Sequence, residues 1–194
     1  VQFNNQNDLA TYPKTWEADC ALLEGAGVDY LFAPTYDIMF PDDYRYKLSE
    51  SSLSKTLCGA SRPGQFDGVL TVVMKLLQVF QPEHAYFGEK DYQQYLLIKG
   101  MVEAFFLRTQ IIPCPIVRRE DGLACSSRNK RLSQEALGRA HLLHDALASG
   151  KSVEEIKAQL TADGFEIDYV TETDGRLYAA ASIEGVRLID NIAR

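Results

Sequence analysis

Residues 88–94 bring a glycine, a lysine, acidic residues and glutamines together directly after a short apolar run. Gly88 would let a ligand approach the backbone closely, and Lys90 offers a compact positive charge for phosphate. Asp91 could accept hydrogen bonds from a ribose, and Gln94 lies about one helical turn further on, where it could contact a polar substrate. The spacing of Asp91 and Gln94 also suits a capping box at a helix start. Phosphate binding and helix capping are therefore both open from this pattern.

A second group that suits phosphate is the tripeptide Ser126, Ser127 and Arg128. Two hydroxyls and a guanidinium in succession can wrap a polyphosphate and neutralise the charge that develops on it. The surrounding stretch, 117–131, contains five cations and two acids, a local charge of +3, although the whole chain carries −7. An exposed polar turn explains the same residues, and the residue types alone favour that simpler interpretation. Arg62, in a loop of small residues, is a further phosphate candidate that decides nothing by itself.

The apolar periodicity predicts the elements that position these groups. Strands are predicted at 28–33, 85–87 and 110–115, and helices at 7–25, 53–57, 66–80 and 92–106. Strands that alternate with helices imply parallel βαβ units in a doubly wound sheet. Residues 88–91 then lie at the carboxyl edge of that sheet. Open α/β folds bind ligands at this edge, and a helix N-terminus there offers unpaired N–H groups to phosphate.

The pattern changes after residue 116. A structured loop is predicted at 118–132, followed by helices at 133–147 and 153–160 and by strands at 165–170 and 186–188. Separate runs of helices and strands are typical of an α+β unit. We therefore predict two domains, an α/β domain at 1–116 and a smaller C-terminal α+β domain at 117–194.

Composition argues against several classes of function. The 194 residues are 46% apolar and 24% charged, and no apolar run approaches the ~20 residues that a membrane span needs. The net charge of −7 argues against nucleic acid as a partner. The four cysteines form no CxxC pair, and His141 and His144 have no further ligand signature, so no metal site is predicted. These features predict a reduced, cytoplasmic protein.

Several longer segments together resemble the pantothenate synthetase (pantoate–β-alanine ligase) family. The resemblance lies in VQF at 1–3, the run at 8–35, LCGASRPGQFDGVLTVVMKLLQVFQP at 57–82, AYFGEKDYQQYLLIKGMV at 85–102, VRREDGLACSSRNKRLS at 117–133 and RLIDN at 187–191. It spans nearly the whole chain, and FGEKDYQQ and DGLA-x-SSRN are long, ungapped and in the right order. It implies a Rossmann-like doubly wound parallel sheet of the nucleotidyl transferase type, covered by a C-terminal lid domain.

The resemblance also implies a reaction and its residues. An ATP-dependent ligase of this family joins pantoate to β-alanine through a pantoyl-adenylate, releasing pyrophosphate and AMP, in the synthesis of a coenzyme A precursor. Mg²⁺ would accompany the phosphates, and the enzyme would be a cytoplasmic homodimer. ATP would be bound by Gly88, Glu89, Lys90, Asp91, Val117, Cys125, Ser126, Ser127 and Arg128, pantoate by Gln2 and Gln94, and β-alanine by Gln2. Lys90, Ser126, Ser127 and Arg128 would be the catalytic groups.

Three departures from the family pattern accompany the resemblance. The family's His-x-Gly-His loop is expected before Val1, so we expect this chain alone to bind its substrates without useful turnover. Gln65 stands where the family has a histidine, and Cys125 where an apolar residue is usual.

Two alternatives to this ligase are considered. One is a non-catalytic nucleotide-binding fragment or assembly module that keeps the fold. The joint presence of Lys90, Asp91, Gln94 and the SSRN motif weighs against it, because a scaffold has no need of that set. The other is a different adenylate-forming enzyme, which Gln2 and Gln94 disfavour because their amides suit a small polyhydroxy acid.

Overall fold

The computed structural model describes residues 15–194. Its first part has two parallel strands flanked by helices, and its second part has a three-stranded antiparallel sheet with its own helices. The first part contains α1 Trp16–Gly25, α2 Tyr36–Met39, a 3₁₀ turn Leu53–Lys55, α3 Cys58–Ser61, α4 Gln65–Phe80, β1 His84–Gly88, a 3₁₀ turn Glu89–Asp91, α5 Tyr92–Ala104 and β2 Gln110–Cys114. The second contains a 3₁₀ turn Ser127–Arg131, α6 Gln134–Arg139, α7 Leu142–Ala148, α8 Val153–Ala162, β3 Glu166–Thr173, β4 Arg176–Ile183 and β5 Val186–Ala193. The predicted combination of a parallel α/β part with a smaller C-terminal α+β part is confirmed. Gln2 and the predicted start of the first helix lie outside the described residues.

The loop that follows β1 is positioned by a βαβ unit. β1 pairs in parallel with β2, from His84↔Gln110 to Gly88↔Cys114, and α5 connects the two strands. α4 and α5 share one core with β2, formed by Phe66, Val69, Leu70, Leu77, Tyr95, Leu97, Ile98, Met101, Val102 and Ile111. Burying these side chains fixes α5 against α4, so the short turn between β1 and α5 has little freedom. The predicted strand, loop and helix are therefore confirmed, and residues 88–91 lie at the carboxyl end of β1.

The antiparallel sheet is built by two tight hairpin turns. Asp174 and Gly175 have φ values of 52° and 69°, and Glu184 and Gly185 have φ values of 50° and 72°. Two consecutive residues with positive φ are the requirement of a type I′ turn, whose twist matches that of the strands it joins. β3 therefore pairs with β4, and β4 pairs with β5, in antiparallel register. The sequence analysis did not predict β4, which is a correction.

The second core lies between this sheet and α6, α7 and α8. Its fully buried side chains include Leu143, Leu147, Ile156, Leu160 and Leu177. The single helix predicted at 133–147 is wrong, because α6 ends at Arg139 and α7 begins at Leu142. Gly138, a poor helix former, precedes this break. Ser133 caps α6 as predicted, and its hydroxyl oxygen accepts a hydrogen bond from the Ala136 N–H at 3.1 Å.

Two predictions in the first part are also wrong. Residues 28–33 form no strand; the Val28 N–H donates to the Leu23 carbonyl at the end of α1, and Tyr30 is almost fully exposed. An extended apolar run becomes a strand only where a neighbour completes the hydrogen-bond ladder, and no described residue does so. The helix predicted at 53–57 is a shorter 3₁₀ turn, and it is followed by α3, which was not predicted.

The connection between the two parts runs between β2, which ends at Cys114, and a small antiparallel bridge between Arg118 and Ala124. The predicted boundary near residue 116 falls between these features. The division into domains at 1–116 and 117–194 stays a prediction.

Candidate active site

A cleft of about 390 Å³ lies between the carboxyl end of β1 and the antiparallel sheet. One wall includes the turn after β1, residues 88–91, which we call the rim loop. The other includes part of residues 117–131, which we call the basic loop. The first wall contributes Arg62, Gln65, Phe66, Lys90, Asp91 and Gln94, and the second contributes Leu123, Ser126, Arg128, Tyr169, Arg187 and Asp190. Residues from both of the groups predicted from sequence to suit phosphate thus line one cavity.

The rim loop directs Lys90 and Asp91 toward the cleft, and Gln94 lines it from the first turn of α5. Asp91 occupies the N-cap position of α5, but its side chain makes no capping hydrogen bond. The capping interpretation of the sequence pattern is therefore wrong. A Cβ built on Gly88 would have no atom of residues 15–194 within 4 Å, so this part of the chain leaves space for a ligand to approach the loop backbone. Gly88 and Glu89 do not line the cleft themselves.

The basic loop holds its shape through local hydrogen bonds. The Cys125 N–H donates to the Val117 carbonyl at 2.9 Å, and the Arg119 N–H donates to the Leu123 carbonyl at 2.9 Å. Ser126 caps the 3₁₀ turn that follows, because its hydroxyl oxygen accepts from the Arg128 N–H at 3.2 Å. These contacts bring Ser126 and Arg128 to the cleft.

Three other predicted contacts of the basic loop do not line the cleft, namely Val117, Cys125 and Ser127. The side chain of Val117 is 72% exposed, and Cys125 and Ser127 are not buried either. Any contact from these residues to a ligand in the cleft has to use backbone groups or a rearranged loop. The sequence could not show which residues of the basic loop line the cleft and which do not, because the two kinds alternate along the chain.

Residues 62–69, at the start of α4, add both polar and apolar side chains to the lining of the cleft. Arg62 donates through Nη1 to the Gln65 Oε1 at 3.1 Å, so the residue that departs from the family pattern is engaged by the arginine of the same loop. Phe66 and Val69 of α4 supply apolar surface there. This combination can hold a small acid that has both hydroxyl and methyl groups.

Gln93 is a structural residue that the sequence analysis missed. It is buried, and its Nε2 donates to the carbonyls of Leu53 and Thr56, each at 2.8 Å. Its Oε1 accepts from the Cys58 N–H at 3.1 Å. These bonds fix the loop before α3 against α5, which positions one end of the cleft. Nothing in the sequence indicated this role beyond the position of Gln93 next to Gln94.

Arg187 and Tyr169 form a second group that the sequence analysis missed. The Cys58 Sγ lies 3.1 Å from the Tyr169 hydroxyl and 3.6 Å from both terminal nitrogens of Arg187. Arg187 also forms an ion pair with Asp168 at 2.6 Å. Burial, together with the nearby Cys58, raises the pKa of Tyr169 well above its ordinary value, so this hydroxyl keeps its proton at neutral pH. Residues on strands of the second part thereby contact the loop around α3.

The cleft is biased toward positive charge. Four cations, Arg62, Lys90, Arg128 and Arg187, line it with two carboxylates, those of Asp91 and Asp190. The carboxylate of Asp190 is already paired with Arg118 at 2.6 Å, as Arg187 is with Asp168 at 2.6 Å, and the other three cations still outnumber the carboxylate of Asp91. A chain with a net charge of −7 therefore concentrates cations at a cavity that suits an anionic ligand.

Two other kinds of site are absent from residues 15–194. This part of the chain contains no group of three or more His, Cys, Asp or Glu side chains that could hold a metal ion. Nor does it contain a helix with the length and apolar character needed to cross a membrane.

Comparison with known proteins gives consistent matches over nearly all of the chain. The family model described as pantoate-beta-alanine ligase matches residues 1–193. A pantothenate synthetase from Bdellovibrio bacteriovorus is 53% identical over 192 residues, covering 99% of this chain and 76% of the relative. A pantothenate synthetase from Coxiella burnetii (strain Dugway 5J108-111) is 49% identical over 192 residues, covering 99% of this chain and 74% of the relative.

Solved structures agree with these matches. A crystal structure of pantoate-beta-alanine ligase from Francisella tularensis, complexed with beta-gamma ATP and beta-alanine, superposes with a TM-score of 0.91 at 39% identity. The match covers 99% of this chain and 75% of that one. Pantothenate synthetase from Thermus thermophilus gives a TM-score of 0.89 at 38% identity, covering 100% of this chain and 79% of that one. The predicted resemblance is confirmed.

Proposed function

The chain belongs to the pantoate-beta-alanine ligase family, and on that premise we propose that it condenses pantoate with β-alanine using ATP. The observation that carries the proposal is the position of Lys90 and Arg128, which line the same cleft from the rim loop and the basic loop. A triphosphate between them would meet positive charge from both sides. The Francisella tularensis relative, whose structure was solved with an ATP analogue and beta-alanine, supports the same two ligands here.

The first step would form an adenylate. A carboxylate oxygen of pantoate attacks the α-phosphorus of ATP, the bond from that phosphorus to the bridging oxygen breaks, and pyrophosphate leaves. Negative charge spreads over the phosphate oxygens as this happens. Lys90 and Arg128 would stabilise that charge, and the hydroxyl of Ser126 would donate to the same oxygens. Ser127 does not line the cleft, so it would contribute through its backbone N–H or after the basic loop rearranges. Holding both anions in one cleft also supplies the proximity that the reaction requires.

The second step would transfer the pantoyl group. The amine of β-alanine attacks the acyl carbon of the adenylate, the bond from that carbon to the phosphate oxygen breaks, and AMP leaves. The amine loses a proton as the amide forms. Positioning carries most of this step, because an acyl-adenylate is already activated toward amines. Gln94 would hold the pantoate group in place, and Gln2 is proposed to contact both pantoate and β-alanine.

The remaining proposed contacts concern the nucleotide. Asp91 would accept hydrogen bonds from the ribose, with Gly88 and Glu89 close to the nucleotide through their backbone. Val117 and Cys125 would border the adenine through backbone groups, because their side chains do not line the cleft. Residues 117–194 would act as a lid domain over ATP bound to residues 1–116.

Mg²⁺ is proposed to arrive on the phosphates of ATP. Described residues offer no cluster of three or more ligating side chains, and Mg²⁺ commonly binds through substrate phosphates and water rather than an all-protein cage. We also propose a cytoplasmic homodimer, which the family resemblance supports. Sedimentation of the purified enzyme tests the dimer.

The experiment that tests the function is an assay of AMP release by the full natural chain with ATP, pantoate and β-alanine. AMP release should require both pantoate and β-alanine. Pantoate alone should support exchange of labelled pyrophosphate into ATP. Binding of ATP without pantoate-dependent exchange would contradict the proposal and favour a non-catalytic nucleotide-binding module.

A further inference from the structure

Two neighbouring residues of the last strand, Asp190 and Asn191, contact the two walls of the cleft. Neither belongs to the residues proposed above to bind substrates. Successive side chains of a strand point to opposite faces, so these two reach different partners from one place in the backbone. Both are buried, with exposed fractions of 4% and 3%.

Asn191 holds the backbone of the rim loop. Its Nδ2 donates to the Glu89 carbonyl at 2.9 Å and to the Lys90 carbonyl at 3.1 Å. Its Oδ1 accepts from the Arg176 Nη1 at 2.5 Å. Both hydrogens of the amide and its oxygen are therefore used, and the donors go to the two consecutive peptide groups that bracket Lys90.

Arg176 of β4 reinforces this hold on the rim loop from both ends. Its guanidinium lies 3.7 Å from the centre of the Tyr92 ring, just after the loop. Its Nη2 lies 3.8 Å from the Glu89 Oε1 at the start of the loop. The Asn191 amide in turn orients the guanidinium. Strands of the second part thus fix a loop of the first part.

Asp190 makes the corresponding contact with the basic loop. Its two carboxylate oxygens accept from Nη1 and Nη2 of Arg118 at 2.6 and 2.8 Å. The Arg118 Nη1 also donates to the Gly122 carbonyl at 3.0 Å, within the same loop. A bidentate pair of this kind fixes orientation as well as distance.

From these contacts we infer that Asn191 is a positioning residue for the ligase reaction, which sets the place of Lys90 relative to the basic loop. This inference rests on the proposed function. Lys90 has a long, flexible side chain, so the protein can restrict the position of its ammonium group mainly by fixing its backbone. A misplacement of about 1 Å can lower a rate by about 100-fold. Because the adjacent residue Asp190 holds the basic loop, one short stretch of β5 sets the distance and orientation between the rim loop and the basic loop.

The test uses Asn191→Asp in the full natural chain. Aspartate has nearly the same shape and keeps an acceptor for Arg176, but it cannot donate to the carbonyls of Glu89 and Lys90. Asn191→Ala provides a neutral variant, and Gln134→Glu, an exposed amide at the start of α6, controls for the added charge. We expect kcat for pyrophosphate exchange to fall about 10- to 100-fold in both Asn191 variants. The KM for pantoate should change less than about threefold, and Gln134→Glu should match the wild type.

A double variant shows whether Asn191 acts through Lys90. In the Lys90→Ala background, Asn191→Asp should lower kcat by less than about threefold, because effects of residues that act as a unit are not additive. The inference would be overturned if Asn191→Asp lowered kcat by the same factor in the Lys90→Ala background as in the wild type. An unchanged kcat per folded molecule in both single variants would also overturn it, since a merely structural residue changes the folded fraction alone.

Hydrogen exchange separates this inference from the proposed function. Amides of residues 89–92 should exchange faster in Asn191→Asp than in the wild type or in Gln134→Glu. If the wild type shows no pantoate-dependent exchange of pyrophosphate, the proposed function fails and the amide rates alone decide whether Asn191 orders the rim loop. Equal amide rates in all three proteins would overturn the positioning role.

Discussion

The rim loop and the basic loop face the same cleft but are held in place in different ways. The rim loop is a single 3₁₀ turn between β1 and α5, and its carbonyls are held by Asn191, about a hundred residues further along the chain. The basic loop contains its own antiparallel bridge and a hydroxyl cap at Ser126. A long-range link of this loop is the ion pair between Arg118 and Asp190.

The two walls of the cleft therefore depend on different contacts. The basic loop is held mainly by its own hydrogen bonds, and the rim loop is held in addition by tertiary contacts with β5. The basic loop should keep its shape when contacts elsewhere weaken. The core of α4, α5 and β2 limits the course of the rim loop, and the loop should reach its final position only while β4 and β5 are packed against it. Substitutions in or near each wall can therefore separate effects on rate from effects on stability.

The largest expected effect is on the rim loop itself. Lys90→Ala should lower kcat for adenylate formation by about 100- to 1,000-fold, because it removes a charge that stabilises the transition state. Pantoate affinity should change less than about threefold, since that charge acts on phosphate. Pyrophosphate exchange and calorimetry measure the two quantities. Lys99→Ala, an exposed lysine of α5, is the matched control. A loss confined to pantoate affinity would contradict the role given to Lys90.

The next effect tests the long-range link of the basic loop. Asp190→Asn leaves the guanidinium of Arg118 without its charged partner, and removal of one member of a buried pair costs about 3 kcal/mol of unfolding free energy. That corresponds to a fall of roughly 6–12 °C in Tm for a chain of this size. Asp145→Asn, an exposed carboxylate on α7, should change Tm by less than about 2 °C. Calorimetry that finds equal, small shifts would show that the pair contributes little.

A smaller effect on stability is expected for a substitution in α3, at Gly59. A Cβ on Gly59 would lie 1.9 Å from the Ser54 carbonyl oxygen, which is a backbone atom that cannot move without its loop. Gly59→Ala should therefore destabilise the protein by about 1–3 kcal/mol. Gly138→Ala in α6 meets no atom of the described residues within 4 Å and should be neutral or stabilising by about 0.5–1 kcal/mol. Urea unfolding measures the free energy of unfolding of both variants. Similar midpoints would mean that the loop before α3 moves to accept the Cβ of residue 59 at little cost.

The smallest effect depends on pH. Partial burial opposes ionisation of Glu50, but the backbone N–H groups of Ser54, Ser52 and Leu53 outweigh it and hold the pKa of Glu50 below its ordinary value. A carboxyl with a lowered folded pKa contributes stability above its unfolded pKa, and this contribution is lost as the pH falls through the folded value. The stability gap between wild type and Glu50→Gln should therefore be present at pH 7 and close below about pH 4. Glu103→Gln serves as an exposed control, and a gap independent of pH would exclude this account.

Much of the fold could be predicted from local pattern, and the failures have physical causes. Helices α4 and α5 and the loop between β1 and α5 followed from apolar periodicity and from the glycine at the strand end. The run at 28–33 was mistaken for a strand because periodicity does not show whether a hydrogen-bonding neighbour exists. β4 was missed although Asp174-Gly175 is a strong hairpin signal, because its alanine-rich sequence has low strand propensity.

The candidate site was predictable only where adjacent residues act together. Lys90, Asp91 and Gln94 follow one another closely, and so do Ser126 and Arg128. Asn191 and Arg187 reach the rim loop and the loop around α3 by tertiary contact alone. The strand predicted at 186–188 ended before Asn191, so the sequence analysis did not place the two residues on one face of β5. Nothing in the sequence identified the partner on the other side of the cleft.

The most direct test of the central claim is a crystal structure of the full natural chain with a non-hydrolysable ATP analogue. One triphosphate should bridge the two walls, with the ammonium of Lys90 and the guanidinium of Arg128 each within about 3.2 Å of its oxygens. A nucleotide that binds to one wall alone, with the other residue turned to solvent and pantoate present, would contradict the account.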